Sequence, residues 1–210
     1  PNAREKLIVN HYGTLNKSFA PTASPRKWRA DGVLRLLYVS VYYPHKVPWL
    51  LCEAVDRLNA AGIPTTATIT MTLREMTDMP GGSLDHAVIS QAVAKGTVKL
   101  GHHDYGNLPD LYRSHDAFVF PSVSETFGHP MAEAMSSGLP VVVSDTSVNR
   151  EICGDTALFA DPYSVTGICD QLQTLDRNQG LRDILRQRAR QRTLEMYDWQ
   201  GHIDRLLGLF

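Results

Sequence analysis

Short apolar segments alternate with segments of helical periodicity along this sequence, and the alternation constrains the fold more than any other feature. The apolar segments are continuous, as in LRLLYVS and PVVVS, which is typical of strands covered by helices on both faces. Strand–helix–strand units join parallel strands. The sequence therefore predicts an α/β fold with a Rossmann-like, doubly wound parallel sheet. The predicted strands are residues 34–40, 65–71, 97–100, 117–120, 140–144 and 157–159.

Helices are predicted between and after these strands. Pro48 precedes the first one and Gly62 follows it, as helix-starting and helix-ending residues do. Five arginines between residues 182 and 192 lie at helical spacing and predict a solvated helix face. The predicted helices are residues 49–61, 84–95, 108–114, 130–137, 149–152, 165–175, 181–197 and 199–207.

The first 32 residues differ in character from the rest of the chain. Residues 16–31 are rich in Pro, Ser, Ala and Lys, which is typical of a connector. We therefore expect residues 1–32 to be a connector, and residues 33–210 to be one ligand-binding domain that ends in closing C-terminal helices.

Charge and composition argue against several classes of protein. The 210 residues include 21 Lys+Arg and 22 Asp+Glu, a net charge of -1, which gives no support to a nucleic-acid partner. Cys52, Cys153 and Cys169 form no Cys-x-x-Cys pair, so a reducing, cytoplasmic location is expected. No apolar run approaches the roughly 20 residues of a membrane-spanning helix.

The loop after Phe120 has the features of an anion-binding site. Pro121 ends regular strand pairing, so this loop leaves the carboxyl end of a parallel strand, where such sheets bind ligands. Gly128 lets the backbone approach a ligand closely, and Pro130 suits the first turn of the next helix. Free N–H groups at the start of that helix favour an anion such as a diphosphate.

Two carboxylates flank this loop, Glu125 and Glu133, with seven residues (126–132) between them. Taken singly, Glu125 is interpreted as a solvated loop acid, and Glu133 as an acid in the first turn of a helix, where the helix dipole favours it. Taken together, the carboxylates can accept hydrogen bonds from paired hydroxyls. One can hold a transferred sugar and the other the ribose of a nucleotide, as acidic residues do in dinucleotide folds.

The segment also resembles the Glu-x7-Glu signature of family 4 glycosyltransferases, and the resemblance covers residues 33–207. It implies the C-terminal, donor-binding half of a GT-B fold. Residues 7–21 would then be the end of an interdomain linker, and an N-terminal acceptor-binding domain or subunit would lie outside this chain. The matching residues are Glu125, Glu133, Leu111, Tyr112, Asp116, Ala117, Pro121, Ser122, Ala134, Met135, Gly138, Pro140, Val141, Glu151, Ile152, Gly154, Ala157, Asp198 and Trp199.

The resemblance implies a role for individual residues. Glu125 would contact the donor sugar and Glu133 the ribose. Lys46, which by itself would be interpreted as a surface lysine, would neutralise the leaving diphosphate, so Glu125 and Lys46 are the candidate catalytic residues. The other candidates would bind the donor through the loop backbone or lie against the base. They are Thr126, Phe127, Gly128, His129, Pro130, Gly101, His102 and Leu108.

The implied activity is transfer of a hexosyl group from a nucleotide sugar, with retention, to an acceptor that the sequence does not identify. UDP is expected as the nucleotide because it is frequent in the family. No Asp-x-Asp motif occurs, so we expect no catalytic metal and no other cofactor. His102 and His103 are adjacent, and we expect them to point to opposite sides and not to share a metal.

One position departs from the family pattern. The family usually has an arginine five residues before the lysine, and here that residue is Val41. Charge missing at a developing diphosphate raises the barrier by several kcal/mol. Tyr42, Tyr43 and His45 are the neighbouring polar residues that could compensate. A non-catalytic nucleotide-sugar-binding module, or a subunit that needs a separate acceptor-binding partner, is therefore the alternative.

Other classes of nucleotide-binding protein lack their own motifs here. The segment after the first strand reads S-V-Y-Y-P-H-K, not Gly-x-Gly-x-x-Gly, and no Gly-x-x-x-x-Gly-Lys-Ser/Thr occurs. These differences argue against nicotinamide oxidoreductases and P-loop NTPases. A phosphorylase or a sugar-nucleotide epimerase shares the fold, and only the pattern of site residues argues against them.

Overall fold

A parallel sheet of six strands organises the structure. The computed structural model describes residues 8–209, so the predictions for residues 1–7 and 210 lie outside the described residues. The strand order is β3-β2-β1-β4-β5-β6, and each neighbouring pair is parallel. The strands are β1 (Leu34–Tyr38), β2 (Thr65–Ile69), β3 (Val98–Leu100), β4 (Ala117–Phe120), β5 (Val141–Ser144) and β6 (Leu158–Ala160).

Helices cover the sheet, which confirms the predicted α/β, doubly wound, Rossmann-like fold. Strands β4 and β5 are buried along their whole length, as expected between two helical layers. The first, third and seventh helices pack together, and the fifth, sixth and eighth form a second group. The helices are α1 (Trp49–Ala60), α2 (Leu73–Asp78), α3 (Ser83–Ala94), α4 (Leu108–Arg113), α5 (His129–Ser136), α6 (Ser147–Cys153), α7 (Val165–Arg177), α8 (Gln179–Met196) and α9 (Trp199–Leu207).

Most predicted elements are present with shifted ends, but α2 was not predicted. A capping box stabilises its start, because the Glu75 N–H donates to Thr72 Oγ1 at 3.3 Å and the Thr72 N–H donates to the Glu75 carboxylate at 2.6 Å. The Thr-x-x-Glu spacing is visible in the sequence. A six-residue helix is too short, however, to show a repeating apolar face.

The arginines of α8 do not form the solvated face that the sequence predicts. Arg182 is only 8% exposed. Arg190 donates to the carbonyl oxygen of Ser136 at 3.0 Å, and Arg192 donates to that of Ile152 at 2.8 Å. The prediction is wrong for these three because α8 packs against α5 and α7, so the long side chains extend over that interface and cap nearby helix ends.

Part of the predicted connector packs against the C-terminal helices. The Thr14 N–H donates to the Tyr197 carbonyl oxygen at 2.7 Å, and the Asn16 side chain donates to Thr193 at 3.1 Å. Phe19 is fully buried. Thr14, Asn16 and Phe19 therefore have fixed neighbours, while the boundary at residue 32 stays a prediction.

The three cysteines belong to the core. Cys52, Cys153 and Cys169 are buried and not disulfide-bonded. Burial raises the pKa of the Cys52 and Cys153 thiols to about 12, which makes them unreactive packing residues. In the part of the chain that the structure describes, no helix has the length and apolar character needed to cross a membrane.

Candidate functional site

A cavity of about 230 Å³ opens where the chain leaves the carboxyl ends of β1, β2 and β3. Strand β1 lies between β2 and β4, so the strand order reverses beside this cavity, and doubly wound sheets bind ligands at such a point. The lining residues follow the three strands or belong to the helical segments near them. They are Val39, Ser40, Val41, Thr70, His102, His103, Tyr105, Leu108, Pro130 and Glu133.

Glu133 supplies the carboxylate of this cavity and is 5% exposed. The Tyr112 hydroxyl donates to Oε2 at 2.9 Å, and the Tyr105 hydroxyl donates to Oε1 at 3.3 Å. Burial raises the pKa of Glu133 above its ordinary value, and the two tyrosine hydrogen bonds partly counteract this shift. The carboxylate is therefore held in one orientation, and it keeps lone pairs for a further donor.

Helix α5 begins one residue earlier than predicted, at His129. The preceding Gly128 has a φ of 76°, a left-handed conformation that favours glycine, and an added Cβ would collide with the Met131 side chain. Glu133 is consequently the fifth residue of the helix and lies in its second turn. The interpretation of Glu133 as an acid in the first helical turn is wrong.

The loop before α5 has backbone N–H groups that remain available. Within residues 8–209, the N–H groups of residues 126–129 donate to no protein acceptor. Phe127 is 3% exposed, and its ring lies 5.0 Å from that of His129 and 5.4 Å from that of Tyr197. The side chain anchors the loop, while the backbone and the start of the helix can bind an anion.

Lys46 and Glu125 form an ion pair beside this loop. Lys46 Nζ lies 2.5 Å from Glu125 Oε1, and the two side chains are 12% and 9% exposed. Lys46 ends a 3-10 turn, Pro44–Lys46, in the segment after β1. Charges so far withdrawn from water interact more strongly than surface charges. A ligand that hydrogen-bonds to either side chain therefore experiences a strong electrostatic field.

Backbone contacts fix the lysine-bearing segment against the glutamate-bearing loop. The Val123 N–H donates to the His45 carbonyl oxygen at 3.0 Å, and the Ser122 hydroxyl donates to the same oxygen at 3.3 Å. The Tyr38 hydroxyl donates to the Lys46 carbonyl oxygen at 2.7 Å. The two bonds to His45 hold together segments that are distant in sequence, and the bond from Tyr38 fixes the lysine segment to β1.

Comparison with known families identifies the family of this chain. The family model described as "Glycosyl transferases group 1" matches residues 22–192, which is most of the chain. The chain belongs to this glycosyltransferase family.

Curated members of the family are longer than this chain. O-antigen chain mannosyltransferase B of Escherichia coli is 35% identical over 119 residues, which are 54% of this chain and 31% of that protein. Glycogen synthase of Mycobacterium tuberculosis is 30% identical over 175 residues, which are 80% of this chain and 40% of that protein. The chain thus spans less than half the length of these relatives.

Solved structures show the same fold. The C-terminal domain of a glycosyl transferase group 1 family protein from Francisella tularensis aligns with a TM-score of 0.70 and 22% identity, over 89% of this chain and 99% of that one. Anabaena HepE, in complex with UDP and glucose, aligns with a TM-score of 0.76 and 18% identity, over 94% of this chain and 55% of that one. At this identity the likeness shows the fold alone, which is that of the GT-B glycosyltransferases.

In this group 1 glycosyltransferase chain the predicted site residues fall into neighbouring groups. Gly101 does not line the cavity, and its N–H donates to the Ile69 carbonyl oxygen at 3.3 Å. The His129 ring lies 5.1 Å from that of Tyr12. His102, Leu108, Pro130 and Glu133 line the cavity, and Lys46 and Glu125 form the ion pair. Between them lie the loop residues Thr126, Phe127 and Gly128, followed by His129, the first residue of α5.

The neighbours of Val41 do not replace the missing arginine charge. Val41 is 59% exposed and lies on the cavity wall. Tyr42 is buried and donates to Asp85 at 2.6 Å. The Tyr43 and His45 rings stack at 5.6 Å, and burial, followed by the charge of a neighbouring lysine, lowers the pKa of His45. The imidazole is therefore neutral at neutral pH.

The sequence interpretation assigned no binding role to several residues of the site. They are Val39, Ser40, Thr70, His103 and Tyr105, which line the cavity, and Tyr112, which donates to Glu133. Tyr112 had a usable signal, because it lies four residues after Leu108 and so shares its face of α4. Tyr105 had no such signal, since a 3-10 turn, Tyr105–Asn107, sets its position.

The two adjacent histidines are both in the lining of the cavity. They follow β3, which ends at Leu100. That their side chains point to opposite sides stays a prediction. Within residues 8–209 no three His, Cys, Asp or Glu side chains are grouped so as to hold a metal ion; the absence of a metal stays a prediction.

Proposed function

We propose that this chain binds a nucleotide-sugar donor at the carboxyl edge of its sheet, and that it is the donor-binding half of a retaining glycosyltransferase. One observation carries the proposal. The loop of residues 126–129, with its available N–H groups, directly connects the Lys46–Glu125 ion pair to the cavity that contains Glu133.

Each part of a nucleotide sugar has a chemically matched neighbour in this arrangement. The ribose hydroxyls donate to the Glu133 carboxylate, and the base lies in the cavity against Leu108. The diphosphate accepts from the N–H groups of residues 126–129, where the start of α5 also favours negative charge. The transferred sugar donates a hydroxyl hydrogen bond to Glu125.

The ion pair also has a use in the transfer step. When the bond between the anomeric carbon and the diphosphate breaks, negative charge develops on the departing oxygen. Lys46 is near enough to the loop to be shared between Glu125 and that oxygen, and a preorganised cation stabilises such a transition state more than the ground state. Retention at the anomeric carbon is part of the proposal.

UDP is the first candidate for the nucleotide, supported by the structurally similar Anabaena HepE, which was solved with UDP and glucose. We place the acceptor-binding groups on a different domain or subunit. The support is that the chain matches 99% of a solved C-terminal domain but only 31% of the E. coli mannosyltransferase.

A second function, nucleotide-sugar binding without transfer, is favoured by one specific observation. Val41 is 59% exposed where the family pattern has an arginine, and its neighbours Tyr42, Tyr43 and His45 supply no cation in its place. With half of the expected charge at the leaving group, the chain would bind a donor more effectively than it would activate it.

Calorimetric titration with UDP, GDP and ADP tests the binding site. We expect one nucleotide to bind, and Glu133→Ala to weaken it by about 1.5–3 kcal/mol, the range for hydrogen bonds to a charged group. Glu195→Ala is the matched control, because Glu195 is an exposed acid near the end of α8. Wild-type affinity in Glu133→Ala would contradict the ribose assignment.

Activity is measured separately with the matching nucleotide sugar. Release of nucleoside diphosphate by the chain supplied with an acceptor-binding partner supports transfer, and NMR of the product's anomeric proton reports retention or inversion. Donor binding without release, under conditions in which Val41→Arg does release nucleotide, would instead establish the binding module.

A further inference from the structure

The segment that carries Lys46 has one fully buried side chain, that of Tyr42. Among residues 40–46, all of which the structure describes, Tyr42 alone is buried, at 2% exposure. Its neighbours Val41 and Tyr43 are 59% and 44% exposed. Exposed side chains with few buried contacts stabilise a segment weakly. The position of this segment therefore depends on what holds Tyr42.

Tyr42 is held by Asp85, the third residue of α3. The Tyr42 hydroxyl donates to Asp85 Oδ2 at 2.6 Å, and this hydrogen bond is buried. Asp85 is not part of the lining of the cavity that contains Glu133. Helix α3 packs against α1, which begins shortly after Lys46. The bond therefore ties the lysine-bearing segment to a helix that lies outside the site.

The Asp85 carboxylate is poorly compensated for a buried acid. The residue is 5% exposed, and its Oδ1 makes no hydrogen bond of normal geometry with residues 8–209. Burial raises the pKa of Asp85, and the Tyr42 hydroxyl, followed by the backbone N–H of Trp49, partly counteracts this shift. An apolar side chain of similar shape would stabilise the fold more than such a carboxylate does. What the acid adds is a strong, directional acceptor for Tyr42.

The other end of the segment has an unfavourable backbone conformation. Val47 has a φ of 40° and a ψ of 52°, which is the left-handed region and an outlier for a β-branched residue. Such a conformation persists only where surrounding contacts impose it. One of these contacts is the hydrogen bond from the Tyr38 hydroxyl to the Lys46 carbonyl oxygen. Because the strain favours relaxation, the position of Lys46 is sensitive to the loss of any bond that holds the segment.

We propose that Asp85 is a positioning residue, which through the Tyr42 hydroxyl fixes residues 40–46 and so keeps Lys46 beside Glu125. A lysine side chain loses much rotamer freedom when it is ordered, and a fixed backbone limits the further freedom that has to be lost. The expected effect on donor binding rests on the proposed function. The expected effect on Lys46 itself does not.

Hydrogen exchange followed by NMR tests the proposal without a nucleotide. The Lys46 N–H donates to the Tyr43 carbonyl oxygen at 2.9 Å, so its exchange reports local opening of the segment. In Tyr42→Phe we expect this exchange to be at least about tenfold faster, as for the loss of a hydrogen bond to a charged group. The Ile168 N–H, bonded to Ser164 at 3.1 Å, is the reference. Equal acceleration of both amides would show general destabilisation and overturn the proposal.

Variants at Asp85 separate positioning from stability. Asp85→Asn keeps an oxygen acceptor for the Tyr42 hydroxyl, and we expect it to retain the slow Lys46 exchange. Tyr42→Phe with Asp85→Leu removes both polar groups, so we expect this double variant to be at least as thermostable as the wild type, while Lys46 still exchanges fast. Slow exchange in the double variant would show that packing of the ring fixes the segment, and would overturn the proposal.

The matched control is Tyr43→Phe, the same change at the neighbouring, exposed side chain. We expect its Lys46 exchange and its nucleotide affinity to equal those of the wild type. Acceleration of the Lys46 exchange in this control as large as in Tyr42→Phe would contradict a specific role of the bond to Asp85.

Calorimetric titration with UDP, GDP and ADP then measures the effect on donor binding. We expect Tyr42→Phe and the double variant to bind the preferred nucleotide severalfold more weakly, and Asp85→Asn to bind it as the wild type does. In a Lys46→Met, Glu125→Gln background, Tyr42→Phe is expected to cause no further loss, because the side chain that it positions is absent.

The outcomes of the two measurements are distinguishable. An equal loss of affinity in that background, or wild-type affinity in Tyr42→Phe, would overturn the link between Asp85 and donor binding. If the wild type binds none of the three nucleotides, the proposed function fails, and hydrogen exchange still decides whether Asp85 positions Lys46.

Discussion

Two glutamates eight positions apart in this sequence are both withdrawn from water, but different kinds of partner compensate their negative charges. Glu125 lies in a loop and pairs with Lys46 at 2.5 Å, so charge is balanced by charge. Glu133 lies in α5 and accepts hydrogen bonds from the neutral hydroxyls of Tyr112 and Tyr105. Burial raises the pKa of Glu133 above the ordinary value.

The difference shows which partner each carboxylate can accept. Glu125 is already compensated, so a ligand at that site has to share an existing ion pair, as a sugar hydroxyl and a diphosphate together can. Glu133 is under-compensated, so a ligand that brings additional hydroxyl donors stabilises its charged form. Ribose, with two adjacent hydroxyls, has that chemistry.

The largest expected effect comes from breaking the ion pair. Lys46→Ala leaves Glu125 buried without its cation, and we expect the free energy of unfolding to fall by about 3 kcal/mol. Urea denaturation measures this. The double variant Lys46→Met with Glu125→Gln, which removes both charges, is expected to recover most of the loss. An unchanged stability in Lys46→Ala would show that Glu125 is solvated rather than dependent on the pair.

A smaller effect, an increase in stability, is expected when the other carboxylate, Glu133, is replaced. The folded-state pKa of Glu133 is raised, so wild-type stability falls as the pH rises from the ordinary glutamate value through that raised pKa. Glu133→Gln removes this penalty, and we expect its Tm to exceed the wild-type Tm by a few degrees at neutral pH, while nucleotide binding is lost.

Thermal unfolding from acidic to neutral pH measures this difference. The gap between Glu133→Gln and the wild type is expected to widen as the pH rises, while Glu195→Gln, an exposed control, follows the wild type. A gap that narrows with rising pH would mean that the pKa of Glu133 is lowered, which would remove the contrast between the two glutamates.

The smallest expected effect is tighter nucleotide binding when a cation is added at Val41. Val41→Arg restores a cation at an exposed position on the cavity wall, and we expect it to tighten nucleoside diphosphate binding by about 0.5–1 kcal/mol, since exposed charges are well screened. Calorimetry measures the change, and Val41→Gln, similar in polarity but uncharged, is the control. Equal tightening by both variants would assign the effect to packing rather than to charge.

The sequence interpretation was most accurate where the signal is local. Strand β4 and helix α9 have the predicted bounds, because continuous apolar runs and helical periodicity are properties of adjacent residues. It was least accurate where residues act through contacts distant in sequence. The arginines of α8 were assigned to solvent because their partners, such as the carbonyl oxygen of Ser136, belong to other elements.

The sequence by itself determined the α/β class, the family and the paired glutamates with their loop, since each depends on residue types at fixed spacing. The tertiary structure decided how those residues are used. It brought Lys46 to Glu125 across the loops that follow β1 and β4, and it supplied Tyr105 and Tyr112 to Glu133. The physical reason is that a charge's energy depends on its solvation and its neighbours in space, and chain folding alone sets both.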